Sequence, residues 1–456
     1  MPLQKRQGLV VAIAGLPLAQ RLGMDSLLNK VLRNFGTVMS GQVAITLMGF
    51  AALTMNTRAL DVTGLGVIFL IQATCELTSK VLAFQNWQTM IKFGAEAIQA
   101  RDGARLRATW RMGFFLDTLA AVAAAAVAAG LFLLAPAVIG LDAATGQLGL
   151  IYAVSLLLSG SGVSIGALRL LDAFGLAVGI NIAGALLLLV NAAVLWATGA
   201  PLWVYLATIP AITAGMSVTL LVVGYVRTER AARALDADEA VPSSLDRRGY
   251  FRFAMGVSAT GTLNAMRQRA EMLLVGAILG PAAAALYGVA YRMAAMLGRF
   301  ADSGRQSVYP VIGQLVAEGA FPKAAALAFR LCRLGLLVCV PAIIALAVFG
   351  ADALRMLFGD EFVAAAPNLL MLGIGTAIYV VIFPLGPLIQ IAMGSGRFLM
   401  LNLIAFAGFL LFGALGPWLY GQPGAGAGAT AFSLILAALS VGQVMVRLRR
   451  KDEVRP

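Results

Sequence analysis

Long apolar stretches alternate with short polar ones along the whole chain, and within each stretch polar positions do not recur every second residue. Runs near twenty residues suit a helix crossing a hydrocarbon layer of about 30 Å, whereas a barrel strand needs about ten residues of alternation. Twelve runs can be read: 35–57, 64–84, 113–135, 148–168, 173–196, 202–225, 253–280, 282–299, 330–349, 366–393, 398–419 and 425–446. The pattern predicts an all-α membrane protein of about twelve transmembrane helices.

Composition agrees. Hydrophobic residues make up 60% of the chain and charged residues 12%, half the ~25% usual in soluble domains. Of the 34 Lys and Arg, 28 fall in segments on one side of the predicted membrane, two on the other and four inside spans. The basic segments are 92–111, 227–252, 299–333 and 447–455; the turns 58–63, 199–200 and 280–281 hold few charges. By the positive-inside rule the basic side, with both termini, is cytoplasmic. The net charge of +13 therefore points to anionic membrane lipid and not to nucleic acid. Cys75, Cys332 and Cys339 lie in apolar runs and read as small hydrophobes. With no histidine, a His-ligated metal, a His proton relay and a Ser/His or Cys/His nucleophile are excluded. No phosphate-binding Gly-x-x-x-x-Gly-Lys-Ser/Thr loop is present, and no cofactor is expected.

The polar stretch 227–248, with Asp236, Asp238, Glu239 and a Pro242-Ser-Ser turn, divides the chain. The expected organisation is a cytoplasmic segment 1–33, an N-lobe 34–225 with helices 1–6, a cytoplasmic linker 226–250, a C-lobe 251–446 with helices 7–12, and a basic tail 447–456. Gly64-Leu-Gly opens the second span after a short turn, and Gly280-Pro281 opens the eighth likewise. Six spans per half make such a repeat parallel, with substrate between the halves. The apolar run 8–18 is too short to span; it reads as an interfacial helix, or as residues ahead of a true start at Met24.

Charges inside apolar runs carry the functional signal, since each costs at least ~2.5–3.5 kcal/mol at mid-bilayer. Thr260, Asn264, Arg267 and Glu271 recur at intervals of four, three and four, on one helical face. They read as a cavity-lining stripe whose Arg267 fork engages a phosphate or carboxylate, or as an Arg267–Glu271 pair that locks two helices. Arg269 points away from this stripe and is expected to pair with a neighbouring helix. Gln72, Glu76, Ser79 and Lys80 form a comparable face, with Glu76 and Lys80 as an i, i+4 pair. Glu76 and Glu271 are the candidate carboxylates for coupling to H⁺ or Na⁺. Tyr287 and Tyr291 share a face suited to sugar or headgroup contact, or to a membrane interface; Arg292 beside them needs a partner such as Glu271 or Glu76. Pro384 and Pro387 interrupt the tenth span as a hinge or a static kink. Gly175 and Gly179 form a close-packing face.

Two runs of residues resemble a known family. Asn56-Thr-Arg-Ala-Leu through Gly64-Leu-Gly, then Phe84-Gln-Asn-Trp-Gln, is similar to the first half of bacterial polysaccharide flippases. Gly276-Ala-Ile-Leu-Gly-Pro-Ala-Ala-Ala-Ala-Leu-Tyr-Gly-Val-Ala-Tyr-Arg292, with Tyr309-Pro310, resembles their second half. These belong to the multidrug/oligosaccharidyl-lipid/polysaccharide exporter superfamily, and the resemblance covers about residues 34–446. It implies two six-helix lobes around a central cavity and alternating-access flipping of an undecaprenyl-pyrophosphate-linked oligosaccharide, of exopolysaccharide or O-antigen type, across the bacterial inner membrane. It also implies ion-gradient coupling, and polysaccharide polymerase and export proteins as partners. Carried onto this chain, pyrophosphate contact falls to Arg267, then to Arg292 and Lys80, with Asn264, Tyr287 and Tyr291 as further substrate contacts. Two other readings compete. A small-molecule antiporter of the same superfamily would favour acids in its cavity, and a membrane-embedded transferase would need a catalytic acid on an external loop. The Gly-x-x-x-Asp-Arg loop of major-facilitator transporters is missing from 92–111.

Overall fold

The computed structural model describes residues 24–84, 86–236 and 245–452; some side chains within these segments, including those at 24–40, 259–265, 267–268 and 299–307, lie outside the described set. The 8–18 run lies outside it too. Among the described residues every regular element is helical: α1 (Met24–Ala59), α2 (Val62–Leu82), α3 (Asn86–Gln99), α4 (Gly103–Leu134), α5 (Ala143–Ser155), α6 (Gly162–Leu170), α7 (Phe174–Thr198), α8 (Leu202–Asp236), α9 (Arg247–Leu279), α10 (Pro281–Ala317), α11 (Phe321–Phe358), α12 (Ala366–Ile382), α13 (Leu385–Met393), α14 (Ser395–Tyr420) and α15 (Ala427–Asp452). Nine helical segments among the described residues are long and apolar enough to cross a membrane. The other three predicted runs fall on α1, α9 and α10. Helix α9 is the least apolar of these, with Arg247, Arg248 and Arg252 at its start and Arg267, Arg269 and Glu271 further along.

Aspartates start several of these helices. Asp61 accepts a hydrogen bond from Gly64 N at 3.1 Å, Asp102 from Arg105 N at 2.8 Å, Asp142 from Thr145 N at 2.8 Å and Asp246 from Gly249 N at 2.9 Å. Each satisfies a first-turn N–H that has no partner within its own helix. Gly280, at φ +85°, followed by Pro281 at the first helical position, separates α9 from α10. That is a backbone conformation only glycine adopts cheaply, joined to the one helical site that favours proline.

Two predicted spans are broken. The tenth divides between α12 and α13, with Pro384 and Pro387 buried at the break. The fourth, expected as one run over 148–168, divides between α5 and α6. Its cause is Asp117 of α4, whose Oδ2 accepts from Val163 N at 2.7 Å while Asn86 Nδ2 donates to Oδ1 at 2.6 Å. A buried carboxylate needs donors, and freeing the first N–H groups of α6 supplies them. The polar residues 227–236, expected as linker, continue α8 as helix. Arg107 of α4 holds them, reaching Glu229 at 3.0 Å and Asp236 at 2.6 Å.

Helix α2 packs on α4 in its own half and on α9 and α10 in the other. The core there joins Leu65, Ile68 and Leu70 to Met272, Val275 and Ala284. At the short-turn face the approach is backbone to backbone. A Cβ on Gly66 would lie 1.8 Å from the Pro281 carbonyl oxygen, and one on Gly140 would lie 2.0 Å from that of Gly276. At the basic face Phe93 of α3 meets Tyr250 and Phe253 of α9, with ring centroids 5.2 and 6.1 Å apart.

Candidate functional site

Glu76 of α2, Arg269 of α9 and Arg292 of α10 come together where these helices cross. Glu76 does not settle on Lys80 of its own helix. Its Oε2 lies 2.5 Å from Arg269 Nη2, so the ion pair joins the two halves. Lys80, in the last turn of α2, is exposed. A lysine there is stabilised by water and by the carbonyl end of the helix. Arg269 thus pairs with a neighbouring helix as its angular position predicts, and α9 runs unbroken through Gly261.

Arg292 lies beside this pair, within electrostatic reach of Glu76, Arg269, Tyr152 and Tyr291. Its guanidinium stacks 3.7 Å over the Phe69 ring, a favourable cation–π geometry. Its Nη1 is buried and has no hydrogen-bond partner among the described residues. Among the described residues two arginines stand near one glutamate, which is already paired with Arg269, leaving a net positive charge and an unmet donor at the crossing. Leaving a buried donor unmet costs about 1–3 kcal/mol, more for a charged group, so the arrangement favours an acceptor brought from outside, above all an anion.

Glu271 goes elsewhere. It is fully buried, and its carboxylate accepts from Tyr287 Oη at 2.8 Å and from Ala429 N at 3.0 and 3.2 Å. Ala429 is in the first turn of α15, so the carboxylate sits at a helix N-terminus where unpaired N–H groups and the helix dipole favour negative charge. Gly428 makes room for it: a Cβ there would lie 2.7 Å from Glu271 Oε1. The Tyr287 ring is buried, its hydroxyl committed to Glu271, and it stacks on Tyr291 at 6.0 Å. Arg267 and Asn264 lie on the same helix as Arg269, and their side chains are outside the described residues.

This arrangement of helices is also found in known transporters. A multidrug resistance MATE family transporter of the MOP superfamily, in its inward-facing conformation, superposes with a TM-score of 0.66 at 15% identity, over 90% of this chain and 96% of that one. The chain has the exporter-superfamily fold. The lipid II flippase MurJ, in an inward closed conformation, superposes with a TM-score of 0.61 at 9% identity, over 89% of this chain and 87% of that one. Residues 202–367 match the family described as polysaccharide biosynthesis protein, a segment that contains the 276–292 run. Inner membrane protein YghQ of Escherichia coli K12 is 22% identical over 346 residues, covering 75% of this chain and 96% of YghQ.

Within this exporter fold, reasoning from sequence passed over two groups. Asp117 is a lone acid in an apolar run, a signal of the same kind that singled out Glu76. Tyr152, buried beside Gln72, Glu76 and Arg269, carries no pattern of its own; only the packing of α5 against α2 brings it there.

Proposed function

We propose that this chain is a flippase that moves an undecaprenyl-pyrophosphate-linked oligosaccharide across the bacterial inner membrane by alternating access. The proposal includes twelve spans in two six-helix halves, 34–225 and 251–446, with both termini cytoplasmic. One observation carries the reading: the buried Arg292 with an unpartnered Nη1, beside the Arg269–Glu76 pair that ties the halves together. A pyrophosphate offers multiple acceptor oxygens to such a fork, and binding there would compete with the inter-half ion pair, linking occupancy to separation of the halves. The lipid tail stays in the bilayer and the chain transports without changing its cargo chemically. A cation antiporter would want excess acid at this crossing, where the balance is two arginines to one glutamate.

The test is polysaccharide export beside membrane abundance. Arg292→Gln is expected to abolish export at normal abundance, and Arg292→Lys to retain part of it, because charge survives while the planar fork does not. Normal export by Arg292→Gln refutes the site. Reporter fusions after Arg248 and Lys451 are expected to read cytoplasm, and fusions within 141–147 and 421–424 the outside.

A further inference from the structure

A second basic site lies away from the helix crossing, at the basic face. There a cleft of about 420 Å³ opens between α3 and α4 of the first half and the start of α9. That is the size range of small-molecule pockets. Lys92, Arg105 and Arg252 supply positive charge, and Glu96 and Asp246 are the acids. Both acids are already engaged: Glu96 with Arg105 at 2.8 Å, and Asp246 in capping α9 through Gly249 N.

The bases are less well matched. Lys92 Nζ sits 4.3 Å from the Phe253 ring centroid and 5.2 Å from that of Phe93, and among the described residues it meets no carboxylate within ion-pair distance. Arg252 is exposed at the rim with no carboxylate within ion-pair distance among the described residues. Arg105 spends one nitrogen on Glu96, and its Nε is buried with no partner. The cleft is thus lined by three bases against two acids, with Glu96 paired to Arg105 and each base retaining spare hydrogen-bonding capacity.

We propose that this cleft is a loading site for the diphosphate headgroup of the lipid-linked substrate, occupied before the headgroup reaches Arg292. This rests on the flippase reading and adds to it a place of first capture. Phosphoryl oxygens suit the chemistry, since Lys92 offers a point charge and Arg105 and Arg252 offer planar forks. The cleft bridges the halves, so a bound headgroup holds α9 against α3 at the face where it enters.

The experiment uses the full chain in phosphatidylcholine nanodiscs, with a C55 polyprenyl diphosphate as the membrane probe and inorganic pyrophosphate as the soluble competitor. Lys92→Gln/Arg252→Gln is expected to weaken binding of the lipid diphosphate by about tenfold per lost contact. Lys92→Arg/Arg252→Lys is expected to restore it, with unchanged thermal unfolding showing that the fold is intact. Pyrophosphate is expected to displace the lipid probe from the wild-type protein. Equal affinity in the Gln variant overturns the inference. So does failure of pyrophosphate to compete, or equally tight binding of phosphatidylglycerol, which would make the cleft a general anionic-lipid contact. The two readings fail separately once translocation of the same probe is measured in sealed phosphatidylcholine proteoliposomes. Wild-type protein that binds the diphosphate through the cleft without translocating it refutes the flippase alone. Translocation by the Gln variant at unchanged concentration dependence refutes the loading site alone.

Discussion

Gly66→Ala tests whether the short-turn face is a seal between the halves. The added Cβ would lie 1.8 Å from the Pro281 carbonyl oxygen, 2.4 Å from its carbon and 3.0 Å from its Cα. All three are backbone atoms of the other half, so no side chain can rotate away. Restoring ordinary contact requires α2 and α10 to part by about 1.5 Å. Overpacking of this kind costs about 1–3 kcal/mol. If the cost falls only on the state in which this face is closed, the closed population drops about 5- to 150-fold relative to the open one. Cys75 is a native reporter, fully buried in α2 beside Glu76. With Cys332 and Cys339 replaced by Ala, its modification by a membrane-impermeant methanethiosulfonate added from the short-turn side is expected to accelerate by that factor. Gly215→Ala is the control, because nothing lies within 4 Å of the Cβ it would carry. If Gly66→Ala reaches normal abundance and labels no faster than this control, the close approach does not act as a seal.

Other substitutions probe carboxylates that accept backbone N–H groups. Glu271→Ala removes the acceptor used by Tyr287 Oη and Ala429 N and is expected to destabilise the fold by about 2–5 kcal/mol, read as lost abundance and a lower unfolding temperature, with Glu271→Gln recovering most of it. Asp117→Ala removes the acceptor for Val163 N and Asn86 Nδ2; we expect a loss of about 2–4 kcal/mol, and hydrogen exchange should show it first at the start of α6. Asp142, at the short-turn face, has its carboxyl held below the usual range by hydrogen bonds from the Thr145 hydroxyl and backbone. A depressed value in the folded state means its stabilisation is complete above the ordinary carboxylate range and lost as pH falls through the lowered value. Protection of the Thr145 amide should therefore fall on acidification in the native protein and show no such step in Asp142→Asn.

The helical membrane class, the apolar centre of each long helix and the break at Pro384 were legible in the residues, because they follow from local properties: the length of an apolar run and the missing N–H of proline. The helix ends were not, since α8, α10 and α11 continue through basic stretches that the charge pattern assigned to connections. Which charge meets which was not. Angular position along α9 showed that Arg269 faces away from Arg267, but only tertiary packing decided that Glu76 is its partner in preference to Lys80, since the nearest opposite charge depends on which helix crosses α2. The gap in the fourth span likewise has its cause in Asp117, more than forty positions away in the chain. Periodicity describes one helix at a time. Pairing across helices depends on how they cross, and here that crossing depends on glycines such as Gly66, whose missing side chain lets two backbones touch.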